Sequence, residues 1–178
     1  VKTVLAKGFD VLICTEDIDE FALQALQNYK DIEFKNVSNG DLELETKEEK
    51  EETEKLAKSN EDMLKAIKDA LGDKVAEVAI SASATEAPVN LRAKGQLSFE
   101  MERVLQQQPG AEGLKSQRVL ELNPKHEVFK TLKRAFKDKD DDKIQLYSNL
   151  LFDQALLVEG LPIEDPVAFA QDISKLMK

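Results

Sequence analysis

The stretch from Ile144 to Met177 constrains this chain most. It reads IQLYSNLLFDQALLVEG, a proline-containing break, then DPVAFAQDISKLM. At helical spacing Leu146, Leu150 and Leu157 form one apolar stripe and Tyr147, Leu151 and Val158 a second, with Phe152 and Leu156 widening the face. A surface helix needs one apolar stripe about 100° wide, so this segment must be covered on more than one side. The second segment puts Phe169, Ala170, Ile173, Leu176 and Met177 on one face. Each large side chain is worth roughly 1.5–3 kcal/mol when buried, and a contiguous open patch is unusual for a monomer. Either the rest of the chain or a second copy supplies the cover, and the pattern leaves both open.

The full 178-residue sequence bounds the answer further. Its length suits one domain, or a small domain plus part of another. No run is apolar and long enough to span a membrane, and no signal peptide is visible. The chain begins at Val1 rather than Met, which predicts a piece of a longer protein. Net charge is −10 and only 6% of residues are aromatic, without tryptophan. A nucleic-acid partner is therefore not expected, because phosphates call for a basic face and single strands for stacking platforms. Cys14, the one cysteine, lies in an apolar run and is predicted to be a buried, reduced thiol, consistent with the cytoplasm.

Along the chain, Val1–Ala6 reads as the tail of a helix stopped by Gly8. Phe9–Cys14 reads as a buried strand, the acidic Thr15–Glu20 as the lead into a helix carrying Phe21, Ala25 and Tyr29, and Ile32–Val37 as a second strand. Together they predict a β-α-β unit with a parallel pair, followed by a turn at Asn39-Gly40. The composition then changes to TKEEKEETEK, a solvated helical linker whose Thr46 and Glu49 have capping-box spacing. Met63, Leu64, Ile67 and Leu71 mark a helix capped by Ser59 and ended by Gly72. Val75–Ser83, Val89–Ala93 and Arg118–Leu122 predict three strands, the last alternating least cleanly. Asn123-Pro124 and Asp165-Pro166 have the cap-then-proline form of helix starts, the first leading into a helix with Val128, Phe129, Leu132 and Phe136.

The stretch GQLSFEMERVLQQQPGAEG is ambiguous. Leu97, Met101, Val104 and Leu105 form an amphipathic stripe from which Phe99 points away. Such a helix is either core or a surface for irregular apolar partners, for which flexible methionine is suited.

No catalytic constellation accompanies these elements. His126 has no nucleophile or ligand set around it in the sequence. The acids Glu16, Asp17, Asp19 and Glu20 suit a helix N-terminus without any metal. Asp138, Asp140 and Asp142 open like a calcium loop, but Lys143 and Asn149 occupy the positions needing Gly and Glu.

Taken in order, GFDVLICTEDIDEF, LGDKVAEVAIS, SFEMERVL, LELNPKHEVFKTLKRAF and LLFDQALLVEG…EDPVAFAQDISKLM resemble the ninety-kilodalton heat-shock chaperones of the bacterial HtpG type. The resemblance covers nearly the whole chain, apart from the charged stretch after Gly40 and the QQQPG loop. It implies an α+β fold: residues 1–45 as the last α/β part of a middle domain, then 46–178 as a C-terminal dimerisation domain in which 46–58 is a linker helix. A small three-stranded sheet and helices would end in a pair forming a dimeric four-helix bundle. It implies a homodimer held by Leu146, Tyr147, Leu150, Leu151, Ala155, Leu156, Phe169, Ile173, Leu176 and Met177. It implies non-native client proteins bound at Glu20, Phe21, Leu97, Met101, Val104 and Leu105. ATP and magnesium would belong to the full-length parent, since neither the ATP-binding domain nor the large middle subdomain is present; this stretch is expected to be no enzyme. Because the sequence ends at Met177-Lys178, no acidic tail for helical-repeat co-chaperones is expected. The alternative reading is a structural adaptor whose terminal helices bind a different protein and whose Met101 helix is ordinary core.

Overall fold

The computed structural model describes residues 4–5, 7–16, 18–36, 47–81, 87–95, 97–110 and 113–177. The described residues make an α+β fold of seven helices and two small sheets, as the sequence predicts. The chain divides into two compact units, Val1–Leu44 with Ala93–Gln117, and Glu45–Arg92 with Arg118–Lys178. The segment around the SFEMERVL helix lies in the first of these units.

In the first unit Gly8 takes a positive φ of 84°, as a helix stop requires. Helix α1 spans Asp19–Leu26, and α4 spans Phe99–Gln106. The parallel β-α-β pair is not made among the described residues. Residues 9–14 form no strand, and Ile32–Glu33 (β2) pairs antiparallel with Asn28–Tyr29 (β1). Local turn chemistry decides this: Lys30 and Asp31 both have positive φ (49° and 64°), the combination of the tight hairpin turn whose twist matches paired strands. Cys14 is exposed rather than buried. Val37, Asn39-Gly40 and Thr46 lie outside the described residues.

The second unit is built around one helix. Helix α2 (Lys47–Ser59) is the charged linker; no residue of it is buried. Asn60, not Ser59, stands at the N-terminus of α3 (Glu61–Leu71), and Gly72 ends α3 with a φ of 57°. The buried residues of α3 are the predicted Met63, Leu64, Ile67 and Leu71. Three strands follow, β3 (Glu77–Ile80), β4 (Val89–Lys94) and β5 (Gln117–Leu122), in the order β3-β5-β4. β3 and β5 run parallel, with Val78 opposite Leu120 and Ile80 opposite Leu122. The poor alternation of β5 now has a cause: it is the central strand, buried on both faces at Val119 and Leu120, as strands covered on two sides are. Ala82 and Ser83, expected to extend β3, lie outside the described residues.

Helix α5 (Glu127–Lys137) starts three residues later than Asn123-Pro124 predicts. The Asn123 side chain is used otherwise: its Nδ2 donates to the Ala87 carbonyl (2.9 Å) and its Oδ1 accepts from Lys125 N (3.0 Å). His126 caps the helix, Nδ1 accepting from Val128 N at 3.2 Å. Helix α6 (Asp141–Val158) begins at Asp140, whose carboxylate accepts from Lys143 N (3.1 Å), and α7 (Pro166–Lys175) at Asp165. α6 packs against α3, α5 and α7. Three neighbouring helices explain why its sequence is apolar on more than one side.

Candidate functional site

Two surfaces matter, one in each unit. In the second unit, α6 buries Ile144, Ser148, Leu151, Phe152, Ala155 and Leu156. At roughly 100° per residue these share one half of the helix. Leu146, Leu150 and Leu157 fall on the opposite half. Leu146 and Leu150 are half-buried and Leu157 is 54% exposed, with Val158 also open beside them. On α7, Phe169 and Ile173 are half-buried and Val167 is exposed, as are Leu176 and Met177 in the turn that ends it. The ten residues assigned to self-association therefore separate into two groups. Leu151, Ala155 and Leu156 are already buried inside the protomer, Leu156 completely. Leu146, Tyr147, Leu150, Phe169, Ile173, Leu176 and Met177 keep surface open, joined by Leu157, Val158 and Val167. Sequence pattern could not separate the groups, because both halves of α6 are apolar.

Polar groups cap and brace α7 where it meets α6. Asp165 Oδ1 accepts from Val167 N (3.1 Å) and Ala168 N (2.9 Å), the cap that the Asp-Pro pair predicts. Asp172 is buried and accepts a 2.7 Å hydrogen bond from Lys175 Nζ. Lys74, Asn149, Asp153, Glu164, Asp165 and Asp172 help line a cavity of about 140 Å³. Burial raises the Asp153 carboxyl above the ordinary aspartate range; Lys74 opposes this, and Asp172, Glu164 and Asp165 add to it by repulsion.

In the first unit the site is α4 with α1 packed against it. Ser98 caps α4, its Oγ accepting from Met101 N at 3.1 Å. The helix buries Phe99 and Glu102, each 2% exposed, and leaves Met101, Val104 and Leu105 half-buried on the other side; Leu97, just before the Ser98 cap, is half-buried as well. Gln24 of α1 donates to the Met101 sulfur at 3.1 Å. Phe21, three residues before Gln24 and so on the same side of α1, is half-buried. Glu20 accepts a 2.6 Å hydrogen bond from Asn36. The structure thus brings together the two helices that carry Glu20, Phe21 and the Met101 stripe. Sequence reasoning missed Glu102; the signal was its place with Phe99 and Gln106, at i, i+3 and i+7, on the face away from the stripe.

The pattern of the Hsp90 protein family matches residues 1–178. The chain belongs to the Hsp90 family. It is 51% identical over 175 residues to the chaperone protein HtpG of Clostridium perfringens, covering 98% of this chain and 27% of that protein. It is 47% identical over 174 residues to the chaperone protein HtpG of Bacillus subtilis, 98% of this chain and 28% of that one. It is 48% identical over 179 residues to that of Clostridium acetobutylicum, 99% and 28%. The chain thus spans little more than a quarter of the length of these Hsp90-family relatives. No helix among the described residues is long and apolar enough to cross a membrane.

Proposed function

We propose that this chain is the self-associating, client-holding end of an HtpG-type chaperone. Residues 1–45 are the last part of a middle domain and 46–178 the C-terminal domain. Two copies pair through the outer half of α6 and the open residues of α7, forming a four-helix bundle. Non-native proteins bind the α4 stripe, with Glu20 and Phe21 on α1. ATP and magnesium act in the stretch of the longer relatives that this chain does not span, and the whole works in the cytoplasm. Pairing would hold two such arms at high effective concentration for each other.

The observation that carries this reading is the apolar side chains left wholly or partly open on α6 and at the end of α7: Leu146, Leu150, Leu157, Val158, Leu176 and Met177. A helix that has packed three neighbours and still presents a leucine stripe is built for a further one. Sedimentation velocity of the chain, alone and with a reduced, carboxymethylated fluorescent protein as client, tests it. A dimer on the order of tens of micromolar or tighter is expected, with the client co-sedimenting. A clean monomer that ignores the unfolded client contradicts the proposal and favours the adaptor alternative.

A further inference from the structure

We infer that Glu102 is a positioning residue: its buried carboxylate latches α4 to the chain leading into β5, and so holds the Leu97–Met101–Val104–Leu105 stripe outward. This rests on the reading of that stripe as the client surface.

Helix α4 has eight residues, and a helix that short is not stable alone in water. Its apolar stripe anchors it only in part: all four stripe residues are half-buried, with Met101 accepting from Gln24 of α1. The opposite face supplies its buried polar anchor. Glu102 Oε2 accepts two hydrogen bonds from Ser116, one from the backbone N–H (2.8 Å) and one from Oγ (2.6 Å), and Ser116 is itself buried. Gln106, one turn on, donates to Glu102 Oε1 (3.3 Å) and to the Leu114 carbonyl (2.6 Å). These bonds tie the middle and end of the helix to the segment ten or so residues later, across the QQQPG loop. Hydrogen bonds to a charged acceptor are shorter and stronger than neutral ones. A carboxylate is also the one common side-chain group that can accept both Ser116 donors on one oxygen and a third bond on the other. Phe99 adds apolar burial on the same face.

The latch sets which side of α4 is presented and how much of it is ordered beforehand. A client meeting an ordered stripe is spared the cost of ordering the helix itself. Loss of the latch therefore weakens client binding without touching α6 or α7.

The test uses the whole chain. Client affinity is read by anisotropy of the carboxymethylated protein, dimer affinity by sedimentation, and exchange of amides 99–106 and 144–157 by mass spectrometry. For Glu102→Ala, exchange of 99–106 is expected to quicken about tenfold or more, client affinity to fall about tenfold, and dimer affinity and 144–157 exchange to stay unchanged. Glu102→Gln keeps an acceptor oxygen and restores most of both. Ser116→Ala, a milder change that retains the backbone N–H bond, gives a several-fold loss of the same kind. Met101→Glu is the separate arm. If it abolishes client binding while Glu102→Ala and Ser116→Ala bind as the unmodified chain does, the latch is overturned and the stripe stands. If Met101→Glu binds client normally, the stripe reading fails, and the latch's role in client binding with it. A uniform rise in exchange across both units makes Glu102 a fold residue, which also overturns the inference.

Discussion

Leu156 and Leu157 are sequence neighbours with opposite surroundings, and truncating each to alanine should separate protomer stability from self-association. Leu156 is fully buried against the protomer's own helices. Leu156→Ala removes methyl groups from a packed core and leaves a cavity, costing about 2–5 kcal/mol of unfolding free energy. Leu157 is 54% exposed, so Leu157→Ala should change protomer stability by less than about 0.5 kcal/mol. Its effect falls on pairing. About half of a leucine remains to be buried, worth roughly 1 kcal/mol per copy. A two-fold interface counts it twice, giving roughly 2 kcal/mol and a dimer Kd weakened roughly 30-fold. Urea unfolding at protein concentrations below the dimer Kd reads the first quantity, and a sedimentation dilution series reads the second. An unchanged Kd for Leu157→Ala would show that the outer half of α6 is not the pairing surface. A cost below about 1 kcal/mol for Leu156→Ala would refute the assignment of that residue to the core.

Two further outcomes follow from the α6–α7 junction. Asp165→Ala leaves the N–H groups of Val167 and Ala168 without their shared acceptor and should cost about 1 kcal/mol, read as faster amide exchange confined to α7 and a lower thermal midpoint. Asp153→Asn should stabilise the chain at neutral pH. Burial raises the folded carboxyl's pKa, so its ionised form is penalised above that raised value and relieved as pH falls through it toward the unfolded value near 3.9. The asparagine's advantage in urea midpoint should therefore shrink between pH 7 and pH 4; an advantage that does not vary with pH would mean that packing, not charge, is responsible.

Much of this was legible in residue order. The α3 core set, the three strands, the Gly72 stop and the Asp165 cap all follow from local patterns, because periodicity and end chemistry act within one or two turns. The failures share one cause. Phe9–Cys14 has strand composition, yet a strand is made by a neighbour, and the hairpin turn at Lys30-Asp31 gave Ile32 a nearer one than any crossover could. Asn123 looks like a helix cap, yet its amide is engaged by the Ala87 carbonyl, leaving the cap to His126.

The sequence by itself determined that the end of this chain carries more apolar helix surface than one contact can cover, and that α4 is amphipathic. Only the tertiary structure decided which half of α6 belongs to the protomer, since α3, α5 and α7 occupy one side and leave Leu146, Leu150 and Leu157 on the other. It likewise decided which face of α4 is anchored. Hydrophobic burial is non-directional, so an apolar pattern specifies that a face must be covered without naming its cover. The hydrogen bonds of Ser116 to Glu102 are directional, and it is the fold that brings those residues, fourteen apart, together.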